Sequence, residues 1–191
     1  MNKYATGLMF LPLVELDQNM EFEGMLADSV TAEDERNFLV HIDDKAVWSD
    51  GTPVTADDVV YTALRLCSPV IGNPAMMYYV FEGVGDNGFV EEGADHVEGI
   101  TRVDDKTVRF TTKAPMSLIT FNSSYAAYLM PLPKHVIGDI DEKALTSAPW
   151  FSRPDVVSGP YKVTEFDRDH YVSYEPTKTT GRGLPRLSAS T

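Results

Sequence analysis

The sequence predicts an α+β fold, in which short antiparallel strands pack beside a few helices, and three observations carry that reading. Phe38-Leu39-Val40-His41-Ile42 alternates as a strand with one buried face. Val59, Val60, Ala63, Leu64 and Leu66 recur at helical spacing. Thr107-Val108-Arg109-Phe110 follows the turn Asp104-Asp105-Lys106, as in a hairpin.

Strands are expected at 11–16 and 37–42. The second runs toward Trp48-Ser49-Asp50-Gly51-Thr52-Pro53-Val54-Thr55-Ala56-Asp57-Asp58-Val59-Val60-Tyr61, which combines a strand end, a turn and a helix start. Asp50-Gly51 is a tight-turn pair, since Gly51 takes positive φ without steric cost, and Pro53 fixes φ just beyond it. Thr55 suits the N-cap of a helix over 56–67, and Asp57 and Asp58 place negative charge at the positive end of its dipole. Carboxylates in a first helical turn are ordinary dipole partners, so this pair is not read as catalytic. Trp48 is read as core.

From 68 to 99 the chain is rich in Gly, aromatic and acidic residues without a clear period, which predicts long loops and one helical turn near 75–81. Strands follow at 96–103 and 107–112, closed by Pro115. Short helices are expected at 116–121 and at 133–137, the latter with Pro133 at its first position. A last antiparallel pair is expected at 161–166 and 171–175 around Asp167-Arg168-Asp169.

At 191 residues the chain suits one or two domains. Its 16 basic and 29 acidic residues give a formal charge of −13, which opposes binding to a nucleic-acid backbone. Apolar runs such as Leu8-Met9-Phe10-Leu11 fall far short of the ~20 residues that span a bilayer, and the N-terminus lacks the pattern of a secretory signal. Cys67 is the single cysteine, so no internal disulfide forms, and its apolar helix face predicts a buried thiol. His41, His96, His135 and His170 are too widely spaced to suggest a metal site. No cofactor is expected.

Several motifs occur in a fixed order. After the 48–61 run come Val103-Asp104-Asp105-Lys106-Thr107-Val108-Arg109-Phe110, then Pro131-Leu132-Pro133-Lys134-His135-Val136-Ile137, then Ser158-Gly159-Pro160-Tyr161-Lys162-Val163. Upstream lie Leu13-Val14-Glu15-Leu16-Asp17 and Leu26-Ala27-Asp28-Ser29. The series resembles the peptide- and nickel-type family of extracytoplasmic solute-binding proteins, the receptors of ABC importers (family 5). The resemblance implies a small mixed, largely antiparallel subdomain of a type II-like periplasmic binding protein, with the start of its main first lobe. It assigns 1–10 to the main lobe, 11–157 to the inserted subdomain and 158–191 to the return into the main lobe. Whole members are much longer, so Met1-Asn2-Lys3 and the tail from Gly181 are expected to be cut ends. Members also follow the last strand with Asn-Pro and Tyr-Trp pairs, whereas here Glu175-Pro176 runs into Thr177-Lys178-Thr179-Thr180.

The resemblance further implies an oligopeptide or related solute held between lobes, an ABC permease as partner, an extracytoplasmic location and a lipid anchor outside this chain. It implies no catalytic role. Ligand contact is expected in Asn73-Pro74-Ala75-Met76-Met77-Tyr78-Tyr79-Val80-Phe81, where some members carry a ligand-touching tyrosine just after the proline. That position is Ala75 here, so Met76 or Tyr79 takes over, although the same cluster also suits core packing. A rival reading is a free-standing protein-interaction module built on the subdomain. A second rival is an enzyme using Gly83-Val84-Gly85-Asp86-Asn87-Gly88-Phe89-Val90, which formally matches a phosphate-loop pattern. The acidic stretch Glu91-Glu92-Gly93-Ala94-Asp95 that follows would repel phosphate and opens no helix. Asn122-Ser123-Ser124 fits the glycosylation pattern, which is common by chance.

Overall fold

A computed structural model describes residues 7–72, 77–167 and 171–178. The chain enters through Met9 and Leu11 into a two-stranded ribbon, β1 (Val14–Leu16) and β2 (Phe22–Gly24). It then forms β3 (Ala27–Ala32) and β4 (Asn37–Ile42), the first half of a four-stranded antiparallel sheet. After helix α1 (Ala56–Leu66) and a 3-10 turn at Met77–Val80, the sheet is completed by β5 (Ile100–Arg102) and β6 (Thr107–Thr111), in the order β3-β4-β6-β5.

Alternation sets the register. Phe38, Val40 and Ile42 point inward and are fully buried, and Phe38 pairs with Phe110 and Val40 with Val108 on β6. A one-residue slip would turn this whole set to solvent. Three of the strand-linking turns share one device: Asp17 Oδ1 accepts from the N–H groups of Asn19 and Glu21, Asp34 Oδ1 from Arg36 and Asn37, and Asp104 Oδ1 from Lys106 and Thr107. Each carboxylate replaces backbone partners that a tight turn leaves unpaired.

Helix α1 covers the sheet. Thr55 is its N-cap, forming a capping box with Asp58. Its buried face includes Val59, Ala63 and Leu64 as the periodicity predicts, but it also takes in Tyr61 and Thr62 and leaves Val60 and Leu66 at the margin. The polar tips of the added residues are satisfied. Tyr61 donates to the Ile137 carbonyl at 3.2 Å, and Thr62 Oγ1 donates to the Asp58 carbonyl at 2.7 Å while accepting from Leu132 N at 2.8 Å.

A second aromatic layer comes from α2 (Leu118–Phe121), capped by Ser117, which runs into a single π-helical turn at Asn122–Ala126. Phe121 stacks on Phe38 with centroids 4.5 Å apart, and Tyr125 meets Phe81 edge-on at 5.0 Å. Three further short helices follow, α3 (Lys134–Ile137), α4 (Glu142–Leu145) and α5 (Pro149–Ser152), and then the hairpin β7 (Tyr161–Asp167) and β8 (Tyr171–Pro176). The exit lies beside the entrance: Gly159 N donates to Met9 O at 2.6 Å, and Leu11 N donates to Ser158 Oγ at 3.0 Å. Among the described residues no helix is long and apolar enough to cross a membrane.

Several expectations need correcting. The strand expected over 96–103 shrinks to three residues, because Glu82 crosses behind it, accepting from Gly99 N and donating its own N–H to Thr111 O. The helix expected from 116 begins at Leu118, since the Ser117 side chain accepts from Thr120 N and caps it. Pro133 is the N-cap of α3 rather than its first residue. Strand β3 goes unrecognised in the sequence because only Ala27 is fully buried, so no apolar alternation marks it.

Candidate functional site

The expected ligand-contact segment ends in the 3-10 turn. Its neighbouring tyrosines divide: Tyr78 turns inward at 4% exposure against Phe81 and Tyr125, whereas Tyr79 is 49% exposed. Burial raises the Tyr78 phenol pKa, so it stays protonated. Tyr79 borders a depression of about 260 Å³ with Val80, Asp86, Lys113, Ala114, Pro115 and Met116. A backbone bond from Lys113 N to Val80 O, 2.8 Å, holds the far side against the turn. Lys113 Nζ lies 3.6 Å from Asp86 Oδ1 at the rim. This is an exposed aromatic and thioether surface with one ion pair, suited to van der Waals contact with an apolar side chain.

Of the three residues singled out for ligand contact, Tyr79 is placed at this depression, and Ala75 and Met76 lie outside the described residues. Lys113 and Met116 escaped sequence reading. Pro115 marks the end of a strand but gives no sign that the following residue folds back beside Tyr79.

The other candidates resolve into structure. Asp58 is buried and accepts hydrogen bonds through both oxygens: Oδ2 from Thr55 N at 2.9 Å, Thr55 Oγ1 at 3.3 Å and Trp48 Nε1 at 3.3 Å, and Oδ1 from Lys134 N at 2.9 Å. Asp57 instead faces outward, 3.4 Å from Arg102 and 3.8 Å from Lys134 Nζ. Trp48 is fully buried. His41, His96 and His135 each sit beside one carboxylate, Asp28, Asp95 and Asp50 respectively, and His170 lies outside the described residues. Among the described residues, no group of three or more His, Cys, Asp or Glu could hold a metal ion.

The glycine-rich stretch closes on itself: Gly85 N donates to Phe89 O at 2.7 Å, and Asn87 Oδ1 accepts from Phe89 N. Cys67 is fully buried, and desolvation pushes its thiol up to about 12. Asn122 of the glycosylation-like triplet is 8% exposed, which withholds its amide from modification.

The sequence profile of the bacterial extracellular solute-binding proteins, family 5 Middle, matches residues 21–188. Among curated proteins, the dipeptide-binding protein DppE of Bacillus subtilis is 29% identical over 172 residues, covering 87% of this chain and 30% of DppE. The peptidoglycan-binding protein YepA of Agrobacterium fabrum is 32% identical over 160 residues, covering 80% of this chain and 22% of YepA. Among solved structures, OppA of Burkholderia pseudomallei superposes with a TM-score of 0.73 at 22% identity, over 91% of this chain and 33% of that one. The oligopeptide-binding protein AppA of Bacillus subtilis, in complex with a nonapeptide, gives 0.72 at 22% identity, over 89% and 31%. This chain therefore spans a third or less of the length of these relatives. At such identities the superpositions establish the fold, part of a type II-like periplasmic binding protein. With the profile match running from β1's partner strand to beyond β8, the chain belongs to the bacterial extracellular solute-binding proteins of family 5.

Proposed function

We propose that this chain is the small subdomain, 11–157, of an extracytoplasmic receptor that captures oligopeptides or related solutes for an ABC importer, with 1–10 and 158–191 belonging to its main lobe. The observation that carries this reading is the family match over 21–188. The subdomain boundaries draw support from the adjacent entrance and exit, where Gly159 and Ser158 bond to Met9 and Leu11, because an inserted unit must leave its host where it entered. The named relatives bind dipeptides, oligopeptides and peptidoglycan, which favours a peptide as the solute.

In this reading the peptide lies between lobes, and hinge closure around it presents the loaded receptor to the permease. The subdomain contributes the exposed Tyr79, and from the sequence Ala75 and Met76 beside it, to the ligand contact, while the charged groups that fix the peptide's ends belong to the remaining lobes. A lipid anchor outside this chain would hold the receptor at the membrane. Calorimetric titration of the full receptor with mixed tri- to nonapeptides tests this. The expected result is micromolar or tighter binding that Tyr79→Ala weakens about 3- to 10-fold, the loss of one aromatic contact. A full receptor that binds no peptide would refute it.

A further inference from the structure

Asn87-Gly88 is the single Asn-Gly pair in the sequence; every other asparagine is followed by a residue that carries a side chain. The pair has its own chemistry. With no side chain in the way, the nitrogen of a glycine can attack the amide carbon of the asparagine before it and close a five-membered succinimide. The loop that holds the pair is anchored at both ends. Val84 and Val90 are buried there, with Val84 N donating to Phe81 O at 3.2 Å and Val90 N to Cys67 O at 2.9 Å, while Asp86 and Asn87 stand exposed at the tip.

Hydrogen bonds close the loop over the pair. Gly85 N donates to Phe89 O at 2.7 Å, Gly88 N donates to Gly85 O at 2.9 Å, and Asn87 Oδ1 accepts from Phe89 N at 3.1 Å. The attacking nitrogen is thus a committed donor, on a buried residue at φ 81°, a conformation that glycine adopts freely. The amide it would attack is pinned as well: Asn87 folds back so closely over Gly85 that a Cβ there would stand 2.7 Å from Asn87 Oδ1. Attack therefore waits on opening of the loop.

We propose that Asn87 is a site of spontaneous deamidation that the closed loop holds in check, so that conversion proceeds only through the open state. Hydroxide takes the Gly88 amide proton, the nitrogen bonds to Asn87 Cγ, and the Cγ–Nδ2 bond breaks, the leaving nitrogen taking a proton from water and departing as ammonia. Water then opens the ring at either carbonyl, leaving aspartate or isoaspartate. The isoaspartyl product has an additional methylene in its main chain, which destroys the register of the bonds among Gly85, Gly88 and Phe89. Opening then becomes permanent. The new carboxylate lies next to Asp86, itself 3.6 Å from Lys113 Nζ, so the change reaches the rim of the Tyr79 depression. The site does not depend on the peptide reading.

The test incubates the 191-residue chain in mildly alkaline buffer, folded and in guanidinium chloride, and follows amide-to-acid conversion and isoaspartate at Asn87 by peptide mass spectrometry. The folded chain should convert at least about tenfold more slowly than the unfolded one, at a rate that tracks exchange of the Gly88 N–H. Gly85→Ala, which displaces the Asn87 side chain, should speed conversion of the folded chain about threefold or more and leave the unfolded rate unchanged. Amide exchange at Phe110, in the sheet, should stay as in the wild type, separating loop opening from general unfolding. Gly88→Ala should slow the reaction of the unfolded chain, because a side chain on the attacking residue obstructs ring closure. Equal rates in the folded and unfolded chains, a folded Gly85→Ala rate no different from wild type, an unfolded Gly88→Ala rate no different from wild type, or no conversion in the unfolded chain would overturn the proposal.

Discussion

Asp58 joins three parts of the molecule through one carboxylate at 4% exposure: its own helix start, the Trp48 indole and the first amide of α3. Truncating it leaves buried donors unpaired, so Asp58→Ala should cost about 3 kcal/mol in urea unfolding, whereas Asp57→Ala on the exposed side should cost under ~0.5 kcal/mol. Equal losses would contradict the assignment. The sequence presents these two acids alike, as first-turn dipole partners. What separates them is partly local, the Thr55-x-x-Asp58 spacing of the capping box, and partly an amide 76 positions away, which no local pattern encodes. Cys67 was legible by contrast, because a thiol on an apolar helix face has little choice but burial. With its pKa pushed up to about 12, it should resist thiol reagents at pH 8 in the native protein and react on unfolding in urea.

At the scale of elements, legibility follows burial periodicity. β4, β6 and α1 carry apolar residues at period 2 or 3.6, and each is found close to its expected place. The exposed edge strand β3 and the four-residue helices α4 and α5 bury too few side chains to leave a pattern. The depression beside Tyr79 was half legible for the same reason: an aromatic-rich segment is visible, but the return of Met116 and Lys113 beside it is tertiary. The clasp between chain entrance and exit depends on Gly159, where a Cβ would stand 2.4 Å from Leu8 O and 2.6 Å from Met9 C. Gly159→Ala should therefore destabilise by about 2–3 kcal/mol and speed amide exchange at Leu11, whose N–H bonds to Ser158. Gly7→Ala, with nothing within 4 Å, is the control and should change neither. An unaltered exchange rate at Leu11 in Gly159→Ala would show that the clasp tolerates separation.

For the molecule as a whole, the three turn aspartates contribute to acid stability. The pKa values of Asp17, Asp34 and Asp104 are all lowered, chiefly by backbone N–H groups of Glu21, Arg36 and Lys106 respectively. A carboxyl whose folded pKa lies below its unfolded value stabilises fully above the unfolded value, about 3.9, and loses that contribution as pH falls through the folded one. The melting temperature should thus hold steady from pH 7 to 5 with respect to these groups and fall below about pH 4. Replacing all three by Asn should flatten that decline, and a decline of unchanged steepness would assign acid sensitivity elsewhere. Family membership was legible at this scale because ordered turn and cap motifs survive divergence that leaves identity near 29%. Those same motifs, the Trp48-to-Tyr61 junction above all, hold strand to helix. Proposed as one subdomain of a peptide receptor, the chain should lack the groups that hold peptide termini. Calorimetric titration of the 191-residue chain with the peptide mixture that saturates the full receptor is the most direct test: the account predicts no heat beyond dilution, and saturable micromolar binding would contradict it.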